Sequence, residues 1–152
     1  MSLKYPPLYW ETRPSDEKFF IGLGSWCPYR RLKTICAKQL ETRKSEALNE
    51  WPDLSHLREV VSYTSRQIKE WLEWPNDYFV PDDPCEILFC DPTAYGFAMT
   101  EHAEECLEAI QKHFSLPGRI LDQLDLERIR YEVLINMIVS SGSEHGSSIN
   151  GY

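Results

Sequence analysis

The segment from Trp74 to Pro84, with the sequence WPNDYFVPDDP, constrains the fold of this chain more than any other stretch. Proline is poorly tolerated inside a helix, so the segment must end one helix before another begins. The apolar run Tyr78-Phe79-Val80 predicts that this connection is anchored on a core, because such side chains favour burial. The segment therefore predicts a helical protein with an ordered joint at its centre.

Two helices are predicted before the joint. The first begins at Pro28, which suits a first helical turn, and continues to about Asn49. After the break at Trp51-Pro52-Asp53, where Asp53 or Ser55 could cap the next helix, a second helix is predicted over residues 54–74. Its apolar positions follow helical spacing at Leu57, Val60, Val61, Thr64, Ile68, Trp71 and Leu72.

Three further elements are predicted after the joint. Asp83 as an N-cap and Pro84 in a first turn indicate a short helix over 85–90, although Ile87-Leu88-Phe89 also fits a buried strand. Thr100 is predicted to cap a helix that ends at Phe114, and a last helix is predicted from Asp125 to Val139.

The resulting organisation is a mainly α-helical fold with three parts. Residues 1–27 are predicted to form an extended aromatic arm, in which Phe19–Gly24 is either a strand or a buried loop. Residues 28–139 form the helical domain, and the Ser-, Gly- and Asn-containing residues 140–152 form a disordered tail.

Charge and cysteine content indicate an acidic cytoplasmic protein. The net charge is −8, and residues 51–152 carry seven Lys or Arg against eighteen Asp or Glu. Such a domain repels phosphate backbones, so nucleic acid is not expected as a partner. No apolar stretch is long enough to span a bilayer and no secretory signal is visible, so no membrane partner is expected and the five cysteines are read as reduced thiols.

The pattern over residues 57–139 resembles an acyl carrier protein. A long helix leads to Val80-Pro81-Asp82-Asp83-Pro84, then to a short helix, a second long helix that ends in Ile110-Gln111-Lys112-His113-Phe114, and a final helix. The resemblance implies a small helical bundle whose acidic surface docks partner proteins.

The chain departs from this family where the family attaches its prosthetic group. Alignment on Phe114 places Met99-Thr100-Glu101 where the family has an Asp-Ser-Leu that carries phosphopantetheine. No serine occurs between Ser65 and Ser115. The resemblance therefore implies the fold without the carrier chemistry, and no cofactor is expected.

A second, local resemblance concerns residues 25–30, Ser-Trp-Cys-Pro-Tyr-Arg, which are similar to the active-site turn of a glutaredoxin. A thiol at a helix N-terminus beside Arg30 and Arg31 would have its thiolate stabilised. Arg30 replaces the second cysteine, so Cys27 could act only in a one-thiol mechanism. A packed, inert Cys27 is the simpler interpretation.

His102 and Cys106, spaced i, i+4, are candidate metal ligands together with Cys85 and Cys90. Their spacing matches no standard zinc motif, so a structural role is preferred. Asp82, Asp83 and Asp91 could serve as paired carboxylates, although helix capping and turn formation already account for Asp83 and Asp91.

The preferred function is a non-catalytic adaptor or regulator that binds a protein partner. Its predicted partner surface combines Trp74 with acidic residues of the helix before Phe114, namely Glu101, Glu104, Glu105 and Glu108. Trp74 either pins the loop or stands exposed as a hot-spot anchor, and burial in the core is the preferred interpretation of this residue. The basic face of the 28–49 helix could meet nucleic acid, although Glu41, Glu46 and Glu50 interrupt it, or more simply it could dock on the acidic second half of the same chain. The alternative is a redox enzyme that uses Cys27.

Overall fold

The computed structural model describes residues 2–3, 28–90, 101–118, 120–126 and 128–150, and these residues are mainly helical. The helices are α1 (Pro28–Thr42), α2 (Ser55–Leu72), α3 (Cys85–Leu88), α4 (Glu101–His113) and α5 (Tyr131–Asn150), with 3-10 helices at Ser45–Glu50 and Ile120–Gln123. Within these ranges the sole β-type pairing is a bridge between Pro84 and Arg130. The predicted mainly α class is confirmed.

Helix α2 lies at the centre of the fold and packs against both α4 and α5. Its buried side chains repeat at helical spacing along one face, as the sequence predicts. They are Leu57, Val60, Val61, Thr64, Ser65, Ile68 and Leu72. Trp71, which the sequence also predicts on this face, is only partly buried. Neither of the predicted capping residues, Asp53 and Ser55, occupies the N-cap position. The N-cap residue is Leu54, which makes no side-chain cap bond. At the other end Glu73 takes a left-handed conformation, and the N–H of Trp74 donates to the Lys69 carbonyl at 3.0 Å.

Helix α1 ends at Thr42, earlier than the predicted Asn49. Side chains from elsewhere explain the early end. Asn76 Nδ2 donates to the Leu40 carbonyl at 2.6 Å, and Arg43 turns away to bind Asp83. Residues 45–50 continue as a separate 3-10 helix, after which Trp51 is buried and donates from Nε1 to the Phe79 carbonyl.

The joint is ordered and anchored on the core, as predicted. Phe79 and Val80 are fully buried, and the indole of Trp74 donates to the Leu88 carbonyl at 2.9 Å. Residues 85–88 form a single helical turn with all four side chains buried, so the alternative buried strand is wrong. The N-cap residue is Pro84 and not the predicted Asp83, whose carboxylate makes other bonds.

Helix α5 is displaced toward the C-terminus relative to the predicted Asp125–Val139. It begins at Tyr131 because the N–H groups of Tyr131 and Glu132 donate to the carbonyls of Asp83 and Pro81, at 2.8 and 3.0 Å. It continues to Asn150, so residues 140–150, expected in a disordered tail, are helical. No proline interrupts them, and Ile138 and Ser141 are buried.

Several predictions lie outside the described residues. They include most of the aromatic arm, the possible strand at Phe19–Gly24 and the Thr100 cap. Of the arm, Leu3 is described and is buried. Among the described helices, none combines the length and the apolar character needed to cross a membrane.

Candidate functional site

The largest described cavity is an open groove of about 810 Å³ along α4, called the α4 groove below. Helix α4 forms one wall, and the segment that follows it, including the second 3-10 helix, forms the other. The lining side chains are those of Glu104, Leu107, Glu108, Gln111, Lys112, Ser115, Leu116, Leu121 and Leu124, with Gly118 at the turn. Its volume lies within the range of binding pockets, about 300 to 1,000 Å³.

The floor of the groove is made of leucines. Leu107, Leu116 and Leu121 are buried, and Leu124 is partly buried against the same core. They form one continuous apolar strip because the chain reverses direction after α4. Ser115 and Gly118 both have positive φ, 51° and 57°, as tight reversals require.

The rim of the groove carries charge. Glu104 and Glu108 are exposed and stand four residues apart on α4, so their side chains lie on one face about 6 Å apart at Cβ. Lys112 continues the same face one turn later. Among the described residues, none forms an ion pair with these two carboxylates.

The predicted partner surface is partly brought together by the structure. Glu101, Glu104 and Glu108 are exposed and Glu105 is partly exposed, all on α4. Trp74 does not belong to this surface, because it is 3% exposed. The preferred interpretation of Trp74 as a core residue is confirmed, and its alternative as an exposed anchor is wrong: its indole N–H is bonded inside the core, and Lys33 Nζ lies 3.9 Å from its ring centroid.

A second polar cluster, called the Asp83 clasp, consists of Asp83, Arg43, Val80 and Leu3. The Asp83 carboxylate is fully buried and accepts from Leu3 N at 2.9 Å, from Val80 N at 2.8 Å and from both terminal nitrogens of Arg43 at 2.8 and 3.3 Å. These four bonds satisfy an ionised carboxylate. The clasp joins the N-terminus, the end of α1 and the joint.

Sequence reasoning missed both the clasp and one wall of the groove. The sequence prediction gives Asp83 a capping role. The run Val-Pro-Asp-Asp-Pro could instead have indicated a buried aspartate in a turn, because the Val80 N–H donates to the Asp83 carboxylate three residues ahead. The second wall had a signal in Leu116, Leu121 and Leu124, apolar residues within a stretch interpreted only as a helix break.

Two basic side chains of the predicted 28–49 helix contact the second half of the same chain, and one of the two contacts is to an acidic residue. Arg43, just past α1, pairs with Asp83. Lys33 donates from Nζ to the Cys90 carbonyl at 2.6 Å. Both basic side chains are largely buried, so they act within the fold.

The four described cysteines, Cys36, Cys85, Cys90 and Cys106, are buried thiols. Burial raises the pKa of Cys36 to about 12, with the negative charge of Asp83 as a further cause. Burial likewise raises the pKa values of Cys85 and Cys106 well above the ordinary thiol value. The thiols of Cys36, Cys85 and Cys106 therefore stay protonated and are poor nucleophiles.

The remaining candidate residues are dispersed. Cys27 and Asp91 lie outside the described residues, so the one-thiol mechanism stays a prediction. His102 is exposed, with its ring 6.4 Å from that of Trp71, while Cys106 faces the core. Within the described ranges, no three His, Cys, Asp or Glu side chains come close enough to hold a metal ion.

The α4 groove thus offers apolar contact area beside exposed carboxylates, a combination suited to binding. Comparison with protein-family models, with curated proteins and with solved structures finds no match to this chain.

Proposed function

We propose that this protein is a non-catalytic cytoplasmic adaptor or regulator that binds a protein partner through α4 and the α4 groove. The observation that carries the proposal is the continuous leucine floor beside Glu104 and Glu108, exposed carboxylates without an ion pair among the described residues. By contrast, the buried carboxylate of Asp83 is paired with Arg43 inside the fold. The four described cysteines are thiols, which agrees with a reducing compartment.

The proposal includes a bundle arranged like an acyl carrier protein but without its prosthetic group. In support, α2 is followed by an aspartate-containing joint, a short α3, a long α4 and a final α5. No serine occurs between Ser65 and Ser115 to receive phosphopantetheine. Intact mass measurement of the protein purified from its own host tests this: a phosphopantetheine adduct would contradict the proposal.

Site-specific photocrosslinking tests the adaptor function. A photoreactive amino acid replaces Gln111, which lines the groove and is partly exposed. The control replaces Gln67, which is also partly exposed but lies on α2 and does not line the groove. Because binding is proposed at the groove, irradiation in host cells should give a discrete protein adduct from position 111 and none from position 67.

Equal labelling from the two positions, or none from either, would contradict the adaptor proposal. Mass spectrometry of the adduct then identifies the partner and the peptide that contacts position 111.

A further inference from the structure

We infer that the occupant of the α4 groove is a short amphipathic helix with leucine-like side chains on one face and Lys or Arg beside them. This inference rests on the proposed function and specifies the chemistry of the partner. Three features of the groove support it: the apolar floor, the charge pattern of the rim and the length.

The leucine floor of the groove favours apolar side chains in the occupant. Leu107, Leu116 and Leu121 are at most 7% exposed, so they present a shallow, already packed base instead of a deep pocket. Leu124 stands higher and is partly exposed. A row of apolar side chains from an amphipathic helix covers such a strip, as in other helix-in-groove complexes.

The charges at the rim of the groove favour basic residues in the occupant and set its orientation. Glu104 and Glu108 stand one turn apart, Glu101 extends the negative charge toward the start of α4, and Glu105 lies between the two rim carboxylates in sequence. Lys112 reverses the sign near the end of α4. The basic residues of an occupant therefore lie toward Glu104, and a neutral or acidic residue lies toward Lys112.

The length of the groove sets the length of the occupant. From Glu104 to Lys112 the rise of α4 spans about 12 Å, because each helical residue advances about 1.5 Å. An occupant helix of roughly two to three turns fills this length. A segment so short is marginally helical alone and would fold as it binds.

A second copy of this chain is a poorer occupant. The chain has a net charge of −8, and residues 51–152 carry all of the excess acid. The exposed carboxylates of α4 would therefore face a like-charged molecule, which disfavours association. A basic partner has the complementary charge.

Defined peptides test the inference with the full-length chain. The probe is a fluorescein-labelled peptide of about twelve residues with leucines at helical spacing and flanking lysines. One reference peptide replaces the lysines with glutamates, and another keeps the lysines but replaces the leucines with serines. We expect binding to weaken about fivefold with glutamate and about tenfold or more with serine, measured by fluorescence anisotropy.

Variants of the protein locate the binding. E104Q combined with E108Q removes both rim charges without changing side-chain size, and should weaken binding of the lysine peptide about fivefold. The control E59Q with E70Q makes the same change in net charge at exposed positions on α2 and should leave binding unchanged. Q111W should obstruct the groove and weaken binding, whereas Q67W should not.

Circular dichroism confirms that each variant is folded before its binding is compared. Equal affinity for the lysine and glutamate peptides would overturn the inference, as would weakening by the α2 variants equal to that by the groove variants. A concentration-dependent dimer that Q111W abolishes would also overturn it, because a second copy would then occupy the groove.

The two proposals fail in different ways. A crosslinked partner at position 111 with no preference for the lysine peptide would refute the partner chemistry and leave the adaptor function standing. Groove-dependent binding of the lysine peptide with no cellular adduct would refute the adaptor function alone.

Discussion

The Asp83 clasp and the α4 groove both place carboxylates beside apolar side chains, yet they use them in opposite ways. Asp83 is fully buried, and four donors from Leu3, Val80 and Arg43 satisfy it. Glu104 and Glu108 are exposed, and no described residue forms an ion pair with them. A buried, fully bonded carboxylate holds segments of one chain together, whereas an exposed one can still meet a partner.

Breaking the clasp should have the largest effect. Asp83→Ala leaves the Arg43 side chain, 11% exposed, without its carboxylate and leaves two buried N–H donors without an acceptor. We expect the free energy of unfolding to fall by about 3 to 5 kcal/mol, measured by urea denaturation. The neighbouring Asp82→Ala changes an exposed side chain and should cost less than about 0.5 kcal/mol. Equal losses for the two variants would refute the clasp.

Alkaline pH should have the next largest effect, a decrease in the free energy of unfolding that comes in part from the Cys36 thiol. The native pKa of the Cys36 thiol is raised to about 12 from an ordinary 9.0, chiefly by burial and then by Asp83. The native state therefore keeps a proton that the unfolded state releases, so its stabilising contribution is complete below about pH 9 and declines as pH rises toward 12. The loss is about 1.4 kcal/mol per pH unit for this thiol.

Urea denaturation at about pH 8 and about pH 10.5, on either side of the ordinary thiol pKa, measures this dependence. Cys36→Ala should reduce the slope by about one thiol's contribution. Cys85, Cys106 and Tyr131, whose pKa values are also raised by burial, account for the rest of the slope. An unchanged slope in Cys36→Ala would contradict the assignment.

At the groove, Ser115→Gly should stabilise the fold slightly. Ser115 has φ of 51° at the end of α4, a conformation in which a side chain is strained and glycine is not. The gain should be about 0.5 to 1 kcal/mol, seen as a higher midpoint of thermal unfolding. Ser115→Ala retains the strained Cβ and serves as the control. A similar gain from alanine would show that the left-handed conformation is not the cause.

The smallest expected effect on stability comes from the groove carboxylates. The variant E104Q with E108Q removes an exposed i, i+4 repulsion and should change the free energy of unfolding by less than about 0.5 kcal/mol. The same variant is expected to weaken peptide binding. Its effect on binding should therefore be large compared with its effect on the free energy of unfolding. A loss comparable to that of Asp83→Ala would mean that these residues support the fold instead.

Elements governed by local pattern were predicted well. The apolar spacing of α2 and the proline-rich joint were read correctly because burial of one face and the geometry of proline depend on nearby residues. Helix ends were predicted less well. Thr42 and Tyr131 became boundaries because Asn76, Asp83 and Pro81, distant in sequence, supply the hydrogen-bond partners.

The candidate site was predictable in part for the same reason. The acidic face of α4 follows from its sequence, since Glu101, Glu104 and Glu108 fall on exposed positions of an amphipathic helix. The groove beside it required the reversal at Ser115 and Gly118, which brings Leu121 and Leu124 next to Leu107. Trp74 lies in the core, the interpretation that the sequence favours for it, and does not belong to the partner surface.

The sequence by itself determined the helical class, the central amphipathic helix, the anchored joint and the acidic character of α4. The tertiary structure decided that Asp83 became a buried clasp, that Trp74 entered the core, and that the leucines after α4 formed one wall of a groove. The division follows from the range of the interactions. Periodicity and proline act over a few residues, whereas a buried carboxylate or a groove requires partners that only the folded chain brings together.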